Sequence, residues 1–180
     1  NRPVSRELLI DRLWGPDPPP TAAEVLPTRI SRLRRRLQPA NPAATAPTLV
    51  AVSGGYQLTV AEDQLDLLRF RALIRRARRQ RALHELSQAH QLYAEAVGIW
   101  RGEVLSCLTA LANDPVVVGL NQEWQTVVVE YATVADELGR HEEVVPLLRR
   151  VLTDNPLHEA AHARLVVALA GSGRQAEALT

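Results

Sequence analysis

One spacing constrains this chain more than any other feature. Gly139, Arg140 and Glu143 recur as Gly173, Arg174 and Glu177, an offset of 34 residues each time. Glycine just past a helix supplies the left-handed backbone of a stop. A period of that length belongs to helix pairs that bury their faces only against neighbouring pairs. From Asp66 onward the chain reads as helix, with segments expected near 66–80, 84–101, 117–138, 141–153 and 157–171 and the start of another at 174. A plain helical bundle is the simpler arrangement of the same segments, but it would not need the period.

The expected fold is therefore mainly α. Residues 61–180 are expected to form an all-α domain of tetratricopeptide-like repeats, whose last helix has barely begun at Thr180, as if the domain were cut there. The front, 1–60, reads differently. Ser5 caps a short helix over 5–15, with Leu8, Leu9, Leu13 and Trp14 on its apolar face and Gly15 as its stop. Pro16, Pro18, Pro19 and Pro20 make a stiff connector. Thr21 and Glu24 have the spacing of a capping box that opens a second helix, ending near Leu37. Leu26, Ile30, Leu33 and Leu37 line one face of it. Pro27 lies inside this helix and costs on the order of 3 kcal/mol there, so a kink or a late start near Val25 or Leu26 is expected. Residues 39–47 read as loop. Leu49–Val52 and Tyr56–Val60, around Ser53-Gly54-Gly55, read as a hairpin.

Charge divides the chain in the same places. Residues 1–60 hold eight Arg and four acids, 61–81 seven Arg and three acids, and 82–180 six Arg and thirteen acids, so the net charge of +1 hides a basic front and an acidic back. There is no Lys; all 21 basic residues are Arg. With 46% hydrophobic and 23% charged residues the composition is that of a folded globular chain. No stretch approaches the roughly 20 apolar residues that span a bilayer. The one cysteine, Cys107, rules out an intrachain disulfide framework and fits a reducing cytoplasm.

Five Arg fall within Arg29–Arg36 with no acid among them, Arg29, Arg32, Arg35 and Arg36 off the leucine stripe and Arg34 at its border. A helix with an apolar back and a cationic front, preceded by a short helix and followed by a hairpin, is a winged helix-turn-helix in outline. Such a helix suits the DNA major groove, where guanidinium groups clamp guanine edges or phosphates. Thr28, Arg29, Arg32, Arg34, Arg35 and Arg36, with Ser53 and Gly54 of the wing tip, are the candidate DNA-binding residues. Arg29 and Arg32 read bases or phosphates, and Arg34, Arg35 and Arg36 hold the backbone. The second cluster, seven Arg between Arg69 and Arg81, suits either a phosphate or polymerase contact or a solvated face paired with the acidic half.

The same residues carry a resemblance. Val4-Ser5-Arg6-Glu7-Leu8-Leu9-Ile10-Asp11-Arg12-Leu13-Trp14-Gly15, Pro18-Pro19-Pro20-Thr21-Ala22-Ala23, Ser31-Arg32-Leu33-Arg34-Arg35-Arg36-Leu37 and Gly55-Tyr56-Gln57-Leu58 resemble the Streptomyces antibiotic regulatory protein (SARP) family. So do Leu67-Leu68-Arg69-Phe70-Arg71-Ala72-Leu73, Ile99-Trp100-Arg101-Gly102-Glu103, Asn155-Pro156-Leu157 and Ser172-Gly173-Arg174-Gln175-Ala176-Glu177-Ala178-Leu179. The matches cover nearly the whole chain in the family's order.

The resemblance implies a response-regulator-type winged helix followed by a bacterial transcriptional activator domain. It implies an activator that binds promoter direct repeats in double-stranded DNA, often as a homodimer, recruits RNA polymerase, and in many members controls antibiotic biosynthesis. It implies a nucleoid-associated cytoplasmic protein with no cofactor. It also implies an N-terminal sheet and first helix ahead of Asn1. Two residues depart from the pattern: Pro27 within the recognition helix, and Val52 where many related wings carry an Arg. The alternative from another class is a helical-repeat interaction or regulatory module without DNA binding of its own.

Enzyme chemistry has one foothold. His158-Glu159-Ala160-Ala161-His162 is a literal H-E-x-x-H, the zincin spacing. Asn155 and Pro156 read as the cap and first residue of that helix, which puts His158 in a frayed first turn. Glu177 is the one downstream acid available as a third ligand, and the repeat already uses it. No phosphate-binding glycine loop or nucleophile elbow is present, so no metal and no catalysis is expected. His84, His90 and His141 read as surface helix residues, Cys107 as a buried apolar one, and Trp14, Trp100 and Trp124 as core or interface anchors.

Overall fold

The computed structural model describes residues 2–38, 47–102, 104–105 and 107–179. Most of the expected loop 39–47, and Glu103, lie outside them. Two compact units are formed, Asn1–Leu68 and Arg69–Thr180.

In the first unit, strand β1 (Val4–Ser5) leads directly into helix α1 (Arg6–Trp14), followed by α2 (Ala22–Leu37) and a hairpin of β2 (Thr48–Val52) and β3 (Gly55–Thr59). The sheet is antiparallel in the order β1-β3-β2. Ser5 caps α1 as expected, accepting from Leu8 N at 3.2 Å, and Gly15 closes it at φ +74°. The capping box at Thr21 is not formed. The Glu24 N–H donates instead to the Thr21 backbone carbonyl at 3.0 Å, while the Pro19 carbonyl of the connector takes the Ala22 N–H at 2.9 Å. Helix α2 runs without a break through Pro27, which is exposed, so the carbonyl that proline leaves unpaired has access to water.

The small core is Leu26, Ile30 and Tyr56, with Leu9, Ile10 and Leu49 packed on it. Burying each such side chain contributes about 1.5–3 kcal/mol. The apolar stripe is shorter than the spacing suggests: Leu33 is 44% exposed and Leu8 and Leu13 are 40% and 53% exposed. Strand β1 was not legible in sequence. Its tie is Gly55, where a Cβ would lie 2.0 Å from the Val4 carbonyl oxygen, so only glycine permits the close pairing of β1 with β3.

The second unit consists of α3 (Asp66–Ala82, whose first residues belong to the first unit), α4 (Leu86–Ile99), α5 (Pro115–Glu137), α6 (Val145–Asp154), α7 (Glu159–Gly171) and the short α8 (Gln175–Ala178). The 34-residue offset is a repeat of backbone geometry. Gly139 and Gly173 sit at φ +68° and +75°. The Arg140 and Arg174 N–H groups donate back to Ala135 O at 2.8 Å and Leu169 O at 2.9 Å, and both turns carry an Arg–Glu pair three residues apart. The turn between α3 and α4 has the same form, with Glu85 N donating to Gln80 O at 2.9 Å, but His84 at φ +60° stands in the glycine position. Three hairpins, α3/α4, α5/α6 and α7/α8, result.

Several single-residue expectations change. His90 is 3% exposed, not on the surface, and Cys107 is exposed, not buried. Helix α6 ends with Asn155 as its cap residue, and α7 starts after His158, so Asn155-Pro156 is the connector rather than the helix start.

Candidate nucleic-acid interface

The core residues Ala22, Leu26 and Ile30 turn one side of α2 inward, and the remaining positions follow from the helical period. Thr28, Arg29, Arg32, Arg34, Arg35 and Arg36 are all exposed. Ser53 and Gly54 form the exposed two-residue turn of the hairpin, with Gly54 at φ +76°. The predicted residues thus all lie on one unit and on its surface.

They differ in what holds them. The Arg29 guanidinium lies 5.7 Å from the centre of the Trp14 ring, a cation–π contact between α2 and the end of α1. The Arg34 Nε donates to Leu49 O at 2.6 Å, tying α2 to β2. Arg32, Arg35 and Arg36 make no hydrogen bond or ion pair with any described residue. Thr28 and the wing tip carry no charge. What the site offers chemically is unmatched guanidinium groups on a rigid helix, suited to an anionic, oxygen-rich partner.

The second arginine cluster resolves toward the paired alternative. Arg71 grips Glu123 through Nε (2.9 Å) and Nη2 (2.6 Å), and Arg78 grips Glu130 through Nε (3.0 Å) and Nη2 (2.9 Å). Arg69 meets Glu95 at 2.6 Å and Arg81 meets Glu137 at 3.3 Å. The bidentate bonds hold the Arg71 and Arg78 pKa values above the ordinary arginine range. Both bidentate pairs span 52 residues and advance together by two helical turns, so α3 and α5 run in the same direction. Arg76 and Arg79 stay exposed and without an ion pair to any described residue.

Sequence reasoning missed a buried polar network in the same unit. His90 Nε2 lies 3.2 Å from Tyr131 Oη and 3.2 Å from Glu143 Oε2. Burial pushes the His90 pKa down, against the pull of Glu143. Burial also raises Tyr131, with Glu143 adding to the effect.

The H-E-x-x-H histidines are otherwise engaged. His158 Nδ1 accepts from Ala161 N at 3.3 Å as the cap of α7, and His162 Nε2 lies 2.8 Å from Pro156 O. Glu177 is bound by Arg149 and Arg174. Among the described residues no group of three or more metal-type ligands converges, and no helix is long and apolar enough to cross a membrane.

Residues 65–180 match the bacterial transcriptional activator domain. The regulatory protein AfsR of Streptomyces coelicolor is 38% identical over 173 residues, and DnrI of Streptomyces peucetius is 32% identical over 176. The chain is a SARP-family member. It spans 17% of AfsR and 65% of DnrI, while those matches cover 95% of the chain itself. A solved structure of EmbR from Mycobacterium tuberculosis, in complex with a low-affinity phosphopeptide, superposes with a TM-score of 0.78 at 27% identity, over 99% of this chain and 47% of that one. Its likeness confirms the SARP-type fold: a small helix-and-hairpin unit followed by helix pairs. These relatives are named regulatory proteins.

Proposed function

We propose that the chain is the DNA-binding and activator portion of a SARP-type transcriptional activator. Helix α2 enters the major groove at promoter direct repeats. Arg32, Arg35 and Arg36 contact phosphates and base edges, Arg29 and Thr28 lie at the near end of the contact, and the wing tip Ser53-Gly54 reaches the flanking backbone. The helical unit dimerises or contacts RNA polymerase, using the surface that stacked pairs present. The protein acts on the cytoplasmic nucleoid, and its targets are secondary-metabolite genes. The observation that carries this reading is the set of exposed arginines on α2 with no protein partner among the described residues.

The test is fluorescence anisotropy of a labelled promoter duplex at several salt concentrations. Each neutralised phosphate contributes roughly −0.9 to the slope of log K against log salt. A steep slope, reduced in Arg29→Ala/Arg32→Ala, is expected. No salt-dependent binding would instead favour the helical unit as the working surface, an interaction module without DNA binding of its own.

A further inference from the structure

We infer that Arg34 is a positioning residue that makes helix α2 and the wing one reading head, and that it is not itself a DNA contact. This rests on the duplex-binding reading of α2. Arg34 is the residue of the five whose guanidinium is committed to the hairpin, through the 2.6 Å bond from Nε to Leu49 O.

The hairpin register shows why that carbonyl needs a partner. The turn Ser53-Gly54 is two residues long and closes on the pair Val52–Gly55. In such a hairpin the closing pair exchanges ladder hydrogen bonds, and bonded pairs alternate with non-bonded ones. Val50–Gln57 is then bonded and Leu49–Leu58 is not, so the Leu49 N–H and C=O face away from β3. Strand β2 is at the edge of the sheet, and among the described residues no further strand takes that carbonyl. The Arg34 guanidinium takes it. The Leu49 side chain meanwhile packs against the core cluster of Leu26, Ile30 and Tyr56, two of whose members come from α2, so the same residue of β2 is engaged by both its side chain and its backbone. From Leu49 the strand runs three residues to the wing tip. At the tip, Gly54 O accepts from Arg6 N at 3.1 Å, which anchors the turn to the start of α1. Movement of the wing relative to α2 is therefore opposed at both ends of β2.

A contact residue and a positioning residue leave different marks on binding. Loss of a phosphate contact weakens all duplexes and lowers the salt slope by about 0.9. Loss of a positioning residue weakens the cognate site more than other sequences, because the two reading elements no longer hold their register, and leaves the slope unchanged.

The experiment uses the whole chain and two duplexes of equal length: one recovered by the wild-type protein from a randomised pool, and its scrambled counterpart. Arg34→Ala is expected to lose about tenfold on the recovered duplex, little on the scrambled one, with the salt slope of wild type. Arg36→Ala is expected to lose similarly on both, with the slope reduced. An Arg34→Ala slope reduced as in Arg36→Ala, with equal loss on both duplexes, overturns the inference. Amide hydrogen exchange without DNA is the second readout: Arg34→Ala should speed exchange in β2 and β3, and Arg36→Ala should not. If wild type binds neither duplex, the DNA reading falls, and the exchange data alone decide whether Arg34 fixes the hairpin. Unchanged exchange in Arg34→Ala overturns it there too.

Discussion

Helices α2 and α3 are both arginine-rich, and their arginines have opposite fates. On α3, Arg69, Arg71, Arg78 and Arg81 each meet a glutamate of α4 or α5. On α2, Arg32, Arg35 and Arg36 meet no described residue. Composition alone does not separate a binding surface from a structural one. The acids that surround the arginines do: residues 82–180 carry thirteen, while 1–60 carry four. Paired guanidinium groups hold helices together; unpaired ones are left for a partner outside the chain.

Breaking the comparison at its strong side should give the largest effect. Arg32→Ala/Arg35→Ala/Arg36→Ala should weaken duplex binding by about a hundredfold or more near physiological salt and flatten the salt slope by up to roughly 2.7. Arg71→Ala/Arg78→Ala should leave both unchanged. Equal losses in the two variants, read by anisotropy, would erase the distinction.

The converse change is smaller. Glu123→Gln/Glu130→Gln releases the two bidentate pairs without removing an arginine. Urea unfolding should show a loss of about 1–2 kcal/mol, since both pairs are partly solvated. The released arginines should also raise duplex affinity at low salt. Stability that is unchanged would show that the ladder is ornamental.

Acid sharpens the contrast further, because residues 1–68 contain no histidine and the helical unit buries one. Burial lowers the His90 pKa in the folded protein, so the unfolded chain takes up the proton first. The stabilisation from neutral His90 is full above the unfolded pKa of about 6.5 and is lost as pH falls below it. Thermal melts of the helical unit between pH 7 and pH 5 should show a decline in stability that is reduced in His90→Gln. A decline of the same size in that variant would assign the acid sensitivity elsewhere.

The smallest effect concerns a single turn. His84 occupies the left-handed position that Gly139 and Gly173 fill in the other two hairpins. His84→Gly should raise stability by about 0.5–1 kcal/mol in denaturant unfolding. It should not alter duplex binding.

The fold was largely legible where local rules act alone. Ser5 and Gly15 bound α1, and Gly139 and Gly173 mark their turns, because caps and left-handed glycines are decided within a few residues. Thr21 misled because its backbone, at φ −88° and ψ 4°, is not the extended one of a capping residue, and the Glu24 N–H goes to its carbonyl rather than its hydroxyl. Strand β1 was invisible because two residues carry no periodicity and its pairing depends on Gly55, about fifty residues away. The positions of the α2 arginines could be read from the helical period. Their division into held and unheld could not, since Trp14 and Leu49 reach them only through the tertiary fold. His90 was misplaced for the same reason: its partners lie on α5 and in the turn after it.

The edge position of β2 has a consequence beyond recognition. An exposed strand edge is a template on which another chain can add itself. Among the described residues one edge of the sheet is β2, which carries a guanidinium over its outward carbonyl at Leu49. A cation at that place repels the like-charged edge of a second copy while satisfying its own. A strand adding to this edge would have to displace that guanidinium before it could pair at Leu49.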